Sequence, residues 1–387
     1  MKNILVVHTR YKNIGGEDIA VEAEIQFLRR HYEVEVLYFD NSITNIFHDI
    51  KSFFNSKNTK SIELLKLKLK DNKPDLVYIH NTWFKASLGI FEFLNTEGIP
   101  ILLKLHNFRY YCTRFVLMSR HLNNKNFCFA CGLTKKNFKL FNKYFENSFL
   151  KSFAILIYGK KYIKILNNEK LKILVLTNFH KRFIEDYIHL KSRIYTHPNF
   201  LEVENIYEEK NQEDQFSKYF IYAGRISQEK GVEELVQTFI KLGLKDFKLK
   251  IIGEGPLLIK LKNQFAQNIN VEFLGYMKNN DVLNLVKSSR GVITATKLFE
   301  GQPTFLSEAS LLGIPSIFPK SGGISEFFPL NYELSFEQFN YKELQSKILK
   351  LTNDNYARSI GKSNRIFTIK KLNEDKTIER FKKILND

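Results

Sequence analysis

Residues Lys218 to Val236 read "KYFIYAGRISQEKGVEELV". An apolar, partly β-branched and aromatic run ends at Gly224, a polar loop sets Arg225 and Lys230 five positions apart, and an amphipathic stretch follows. The order is strand, loop, helix. Downstream, "KLKIIG", "VEFLG", "GVITAT" and "PSIFP" are further short apolar runs separated by helical patterns. Upstream lies "THPNFLEVENIYEEKNQEDQF", polar and charged, with Pro198 near its start, and it reads as a linker. Before that linker the same alternation has already run once. "KNILVV" leads through "HTRYKNIGGED" into the amphipathic "IAVEAEIQFLRRH", and "EVEVLYF", "DLVYIH", "PILLKLH" and "KILVLT" follow.

Strands alternating with helices build parallel sheets covered on both faces. The chain therefore reads as α/β, with two doubly wound, Rossmann-like domains that hold a ligand beyond the carboxyl ends of their strands and between them. The boundaries predicted are residues 1–200 for the first domain, 201–215 for the linker and 216–365 for the second domain. Residues 366–387, with the helical apolar pattern of "NEDKTIERFKKILND", form a C-terminal helix able to pack back across either domain.

A length of 387 residues suits two such domains, and a hydrophobic fraction of 44% is that of a soluble globular protein. No apolar run nears the ~20 residues of a membrane span, and "MKNILVVHTR" lacks the pattern of a signal peptide, so a cytoplasmic location is expected. The 59 basic and 41 acidic residues leave a net charge of +18. A field of that sign attracts nucleic acid, an anionic membrane surface or a phosphorylated small substrate, and it is equally the mark of a Lys-rich solvated surface.

In the loop after "FIYAG", Arg225 offers a planar donor fork and Lys230 a mobile point charge, a pair suited to a diphosphate or to an ordinary basic surface loop. "FEGQPTFLSEA", Phe299 to Ala309, puts Glu300 before a Gly301-Gln302-Pro303-Thr304 turn and Glu308 beyond it. Pro303 suits the first position of a helix running through Leu312, whose free amides and dipole favour an anion. At ~1.5 Å per residue the two acids would lie roughly 10 Å apart along the axis, the span of a nucleotide sugar about its diphosphate. Each would then hold hydroxyl groups; alternatively Glu308 pairs with a Lys on a solvated face.

Gly15-Gly16 and Ser321-Gly322-Gly323 are glycine turns that permit close backbone approach. His106 closes "ILLKLH" at the edge where ligands bind, with His80 in the analogous place one strand earlier. His106 is the candidate for chemistry; for His80 a ligand and a neighbouring loop remain alternative partners. Cys112, Cys128 and Cys131, an odd number, do not make a secreted disulfide framework. With His106 or His121 they could close a zinc site, but the simpler reading is reduced cysteines tightening a loop, and no metal is assigned. Phe138, Phe141, Phe145, Phe149 and Phe153 have helical spacing among lysines, so the basic 135–164 region reads as a surface helix for an anionic membrane or as one packed on its own domain.

Together "GGEDIAVEAE", "KLHNFRYYC…CFAC", "YAGRISQEKGVEELV" and "FEGQPTFLSEASLLGIPSIFPKSGGISE" resemble glycosyltransferase family 4, and within it the bacterial members that assemble capsule, O-antigen and lipopolysaccharide. The resemblance implies the GT-B architecture, two facing doubly wound domains with an interdomain cleft, the first on the acceptor side and the second binding the nucleotide sugar. It implies that Glu300 contacts the donor sugar, Glu308 the ribose, Arg225 and Lys230 the diphosphate, and that Gly301, Gln302, Pro303 and Thr304 complete the donor site. It further implies that Gly15-Gly16 approach the diphosphate and that His106 lies near the transferred sugar. Transfer would retain anomeric configuration, from a nucleoside-diphosphate-sugar to a saccharide or lipid-linked saccharide acceptor, on a protein peripheral to the inner face of the membrane. The chain has no Asp-x-Asp pair to hold a metal against diphosphate, so no cofactor is expected, and no nucleic acid. A GT-B sugar-nucleotide epimerase and a basic, non-enzymatic nucleic-acid or lipid binder are the alternatives.

Overall fold

A computed structural model describes residues 2–10, 15–40, 52, 55–83, 85–135, 149–201 and 217–387. The expected linker beyond Leu201 and most of the aromatic-lysine stretch, with Phe138, Phe141 and Phe145, lie outside the described residues.

The chain divides into two units, one of residues 1–200 joined by Thr377–Asp387, the other of Leu201–Lys376. The first unit holds β1 (Asn3–Arg10), β2 (Glu33–Asp40), β3 (Leu76–Asn81), β4 (Ile101–Leu105), β5 (Leu171–Val175) and β6 (Ile194–Thr196). They form one parallel sheet in the order β2-β1-β3-β4-β5-β6. The second holds β7 (Tyr219–Ala223), β8 (Lys248–Ile252), β9 (Val271–Gly275), β10 (Gly291–Ile293), β11 (Ser316–Pro319) and β12 (Ser335–Phe336), in the order β12-β11-β10-β7-β8-β9, again all parallel. Each is a Rossmann-like sheet with its order reversing at the first strand of the unit, as the alternation in the sequence predicted.

Period-2 alternation sorts the side chains of the first sheet. Leu5, Val7, Val77, Ile79, Leu103 and Leu105 are buried on one face. Ile4, Val6, Leu76, Tyr78 and Leu102 are buried on the other, beneath helix α1 (Gly16–Arg29). The last helix returns to that second face. There Phe381 is fully buried against Tyr78 and Tyr32, with Ile378 and Ile384 beside it. Burying each such side chain is worth about 1.5–3 kcal/mol, which explains how a short terminal helix is held. The helix before it runs unbroken from Asp354 to Lys371, through the position where the sequence ended the second domain, so the return begins later, at Thr377.

Two glycines of the second unit are dictated by sterics. At Gly231 (φ 67°) an added Cβ would sit 2.0 Å from the carbonyl oxygen of Ala295, just beyond β10. At Gly322 (φ 65°) it would sit 2.4 Å from the carbonyl oxygen of Glu300. Both conformations are left-handed, where a side chain is strained in any case.

Candidate functional site

In the second unit these glycines assemble one polar loop cluster. Gly231 lets the turn after β7 press against the end of β10, and the Lys297 amide donates to the Glu229 carbonyl at 2.9 Å. That brings Lys230 Nζ within 2.6 Å of Glu300 Oε1, which also accepts from Thr296 Oγ1 at 2.8 Å. The main chain of Glu300 pairs with Gly322, and the Gly323 amide donates to its carbonyl at 2.8 Å. Thus three sequence candidates, Lys230, Glu300 and the Gly322-Gly323 turn, stand together. The ion pair is partly exposed, its side chains showing 30% and 26% of their surface. Arg225 is exposed on the same loop.

Helix α2 (Thr304–Leu311) follows. Pro303, expected at its first position, is instead the residue before it, because its ψ of 83° is not helical; Leu312 likewise caps the other end. Gly301 and Gln302 are buried in the turn, while Pro303 and Thr304 are half-buried. Glu308 lies in α2, buried, and accepts from Asn279 Nδ2 at 3.3 Å. Burial raises its carboxyl to about 7, with the Asn279 hydrogen bond opposing the shift. The solvated Glu308–Lys pair is thereby replaced by a buried acid, half-protonated near neutral pH.

The first unit carries a different polar assembly. The even-numbered residues that bury Ile4, Val6, Tyr78 and Leu102 continue as His8, His80, Lys104 and His106, so one sheet face ends in a row of histidines. His80 Nδ1 lies 3.0 Å from His106 Nε2, and their rings stack at 5.3 Å. Burial pushes His80 down to about 3, with Glu24 opposing and Lys104 adding to the shift, and burial together with His80 and Lys104 holds His106 well below the ordinary imidazole range. Both are neutral at physiological pH. His80 is therefore a direct partner of His106.

Behind them Lys104 Nζ meets Glu24 Oε2 at 2.6 Å, and Tyr78 donates its hydroxyl to Glu24 Oε1 at 2.7 Å. Burial disfavours the ionised form, yet Lys104 and His197 hold the Glu24 carboxyl well below the usual range. His8 Nε2 contacts Asp18 Oδ1 at 2.9 Å, and the Gly15 amide donates to Asp18 Oδ2 at 2.8 Å. Gly15 itself is extended (φ −119°), and a Cβ at Gly16 would meet nothing within 4 Å. Packing thus does not demand the pair. A concavity opens over this edge, lined among others by His80, Asn81, His106, Asn107, Arg109 and Tyr158.

Reading the sequence missed His8, Asp18, Glu24, Lys104, His197 and Thr296. The signal that could have found Lys104 is a lone cation inside the apolar "ILLKL", since an isolated buried charge requires a partner. Cys112, Cys128 and Cys131 gather with His121, and not with His106, which is engaged by His80. Among the described residues no helix is long and apolar enough to cross a membrane.

Residues 203–381 match the model of the family described as Glycosyl transferases group 1. No curated protein matches the chain by sequence. Among solved structures it is similar to the sucrose-phosphate synthase of Thermosynechococcus elongatus, with 12% identity, a TM-score of 0.72, and 100% of this chain and 98% of that one covered. It is similar to Anabaena Alr3699/HepE in complex with UDP-glucose, with 14% identity, a TM-score of 0.70 and full coverage of both. It is also similar to TarM of S. aureus, with 18% identity and a TM-score of 0.62 over 84% of this chain; the chain spans 58% of the length of TarM. At these identities the structures establish the fold, which is GT-B. The match to the group 1 glycosyltransferase model falls almost entirely on the second unit.

Proposed function

We propose that the protein transfers a sugar, with retention of anomeric configuration and without a metal cofactor, from a nucleoside-diphosphate-sugar to a saccharide acceptor. The observation that carries this reading is the partly exposed Lys230–Glu300 pair, held by Gly231 and Gly322 beside α2 in the matched domain. The neighbours solved with UDP or UDP-glucose support a nucleotide-sugar donor. In this scheme Lys230 and Arg225 neutralise the diphosphate, aided by the amides at the start of α2. Glu300 releases its bond to Lys230 and accepts hydroxyls of the donor sugar, while Glu308 accepts those of the ribose, which favours its ionised form.

The acceptor hydroxyl attacks the anomeric carbon from the face the diphosphate is leaving. As the carbon–oxygen bond to phosphate breaks, the departing phosphate oxygen takes the hydroxyl proton. Neutral His106 contributes a hydrogen bond near the transferred sugar, positioned by His80. On this reading the Gly15-Gly16 loop keeps its open space for the diphosphate. We take the acceptor to be lipid-linked, in capsule, O-antigen or lipopolysaccharide assembly, with the protein peripheral to the inner membrane face. The net charge of +18 and the exposed Phe153 of helix Phe149–Leu166 support that location.

The test is a thermal-shift screen of UDP-, GDP- and other nucleotide sugars, followed by transfer of the stabilising donor to a lipid-linked saccharide. The expected product keeps the donor's anomeric configuration, and its rate is unchanged by EDTA. Loss of activity on chelation, restored by magnesium, would sink metal independence; an isomeric nucleotide sugar formed without acceptor would replace transfer by epimerisation.

A further inference from the structure

The first unit contains a set of side chains that sugar transfer does not use. Cys112 ends the helical turn Arg109–Cys112, His121 lies on the turn Met118–Leu122, and Cys128 and Cys131 flank a tight hairpin. Residues 16 and 10 apart in sequence thus meet: Cys112 Sγ is 3.8 Å from Cys128 Sγ, and Cys131 Sγ is 3.3 Å from His121 Nε2. All four ligand atoms lie within 4.8 Å of one another.

The backbone between the two last cysteines is shaped for this convergence. The Gly132 amide donates to the Cys128 carbonyl at 2.7 Å and the Cys128 amide to the Leu133 carbonyl at 2.8 Å, with Phe127 paired to Thr134 across the hairpin. Gly132 has φ 75°, so "CFACG" places its glycine where the turn needs a left-handed residue. Cys-x-x-Cys on such a turn presents both sulfurs to the same side.

Two sulfurs bound at ~2.3 Å to one tetrahedral zinc stand about 3.8 Å apart, which is the Cys112–Cys128 spacing, whereas a disulfide needs ~2.05 Å. Cys112, Cys128 and His121 are buried and Cys131 is half-buried, leaving no open coordination position among the four. We propose that Cys112, His121, Cys128 and Cys131 bind one structural zinc ion. Thiolates with one imidazole select a soft tetrahedral metal over magnesium or calcium. The ion bonds to three thiolate sulfurs and one neutral imidazole nitrogen; each thiol proton is lost to solvent and no electron is transferred. It ties three short elements that have little regular structure of their own. One of them, Arg109–Cys112, supplies Arg109 and Tyr110 to the lining of the concavity, and Thr113 follows directly. The site is independent of the donor reading and stands or falls by metal content.

The test uses the full chain produced in zinc-supplemented medium, with metals quantified by plasma mass spectrometry and thiols titrated in parallel. About one zinc per chain is expected, retained through EDTA dialysis and released when an organomercurial titrates the three cysteines. Refolding with cobalt alone should give the visible d–d bands and sulfur-to-metal charge transfer of a tetrahedral, thiolate-rich site. His121→Ala should lower zinc retention severalfold, and His121→Cys, which restores a fourth soft ligand, should keep it. Substoichiometric zinc with three freely titrating thiols, a Cys112–Cys128 disulfide in peptide mapping, or iron with acid-labile sulfide in place of zinc would each overturn the assignment.

Discussion

Both units place a Lys–Glu pair at 2.6 Å, and the two pairs have opposite surroundings. Lys104 and Glu24 are sealed, with side chains 0% and 1% exposed, and every oxygen of Glu24 is engaged by Lys104, Tyr78 or His197. Lys230 and Glu300 lie on two neighbouring loops with 30% and 26% of their side-chain surface open. A sealed pair can only organise its own sheet, because separating it strands a charge in a low dielectric. An open pair can exchange partners with an anionic ligand at little cost. The same chemistry is therefore locked into the scaffold of one unit and left open to solvent in the other.

The sharpest way to break this contrast is to remove one member of the sealed pair. Lys104→Ala should destabilise the first unit by about 3–5 kcal/mol in denaturant unfolding, whereas Lys104→Met with Glu24→Leu should recover most of that loss. If the single variant costs less than the double, the pair is not sealed as described. Lys230→Ala and Glu300→Gln should each lower turnover by about 10²–10³-fold while changing stability by no more than about 1 kcal/mol. Wild-type rates in both would remove the loop from the site.

The units should also respond oppositely to pH. Glu308 has its folded-state carboxyl raised to about 7 from 4.5, so the folded chain holds the proton more tightly and stability is lost as pH rises from about 4.5 to 7. Glu308→Gln should therefore stabilise the ligand-free second unit by up to about 3 kcal/mol at pH 8 and by little at pH 4. In the first unit His80 and His180 are depressed to about 3 by burial, so the unfolded chain takes protons first and stability is lost as pH falls below about 6.5. The depressed Glu24 acts in the same direction at lower pH. Hydrogen exchange followed peptide by peptide should show protection moving from the first unit to the second on acidification; parallel changes in both would contradict the assignment. The smallest effect expected is that of Gly322→Ala. Its left-handed φ should cost about 1–2 kcal/mol, and the clash with Glu300 should lower turnover more than it lowers stability.

Much of the fold was legible because apolar runs and helical patterns repeat regularly. β1 to β5 and β7 to β11 all fall on runs visible in the sequence. The edge strands β6, of three residues, and β12, of two, were not, since so short a run carries no periodicity. Motifs on single loops were readable too: "GRISQEKG" and "FEGQPT" name their cations and acids. His80 as the partner of His106 and Glu24 as that of Lys104 join residues 26 and 80 apart, and the choice of His121 over His106 beside the cysteines was likewise left open by the sequence. No local pattern links them.

The sequence by itself determined the alternation of strand and helix, the basic charge, and which residue types stand at the ends of the strands. Local propensity and period-2 burial act over a few residues, so a linear text records them. Only the tertiary structure decided which charges are sealed and which stay open. It set Lys230 against Glu300 through the space freed at Gly231 and Gly322, and it closed four side chains of one loop region around a single point. Those outcomes depend on packing between segments far apart in the chain, where desolvation and distance, and not residue type, set what a charged group can do.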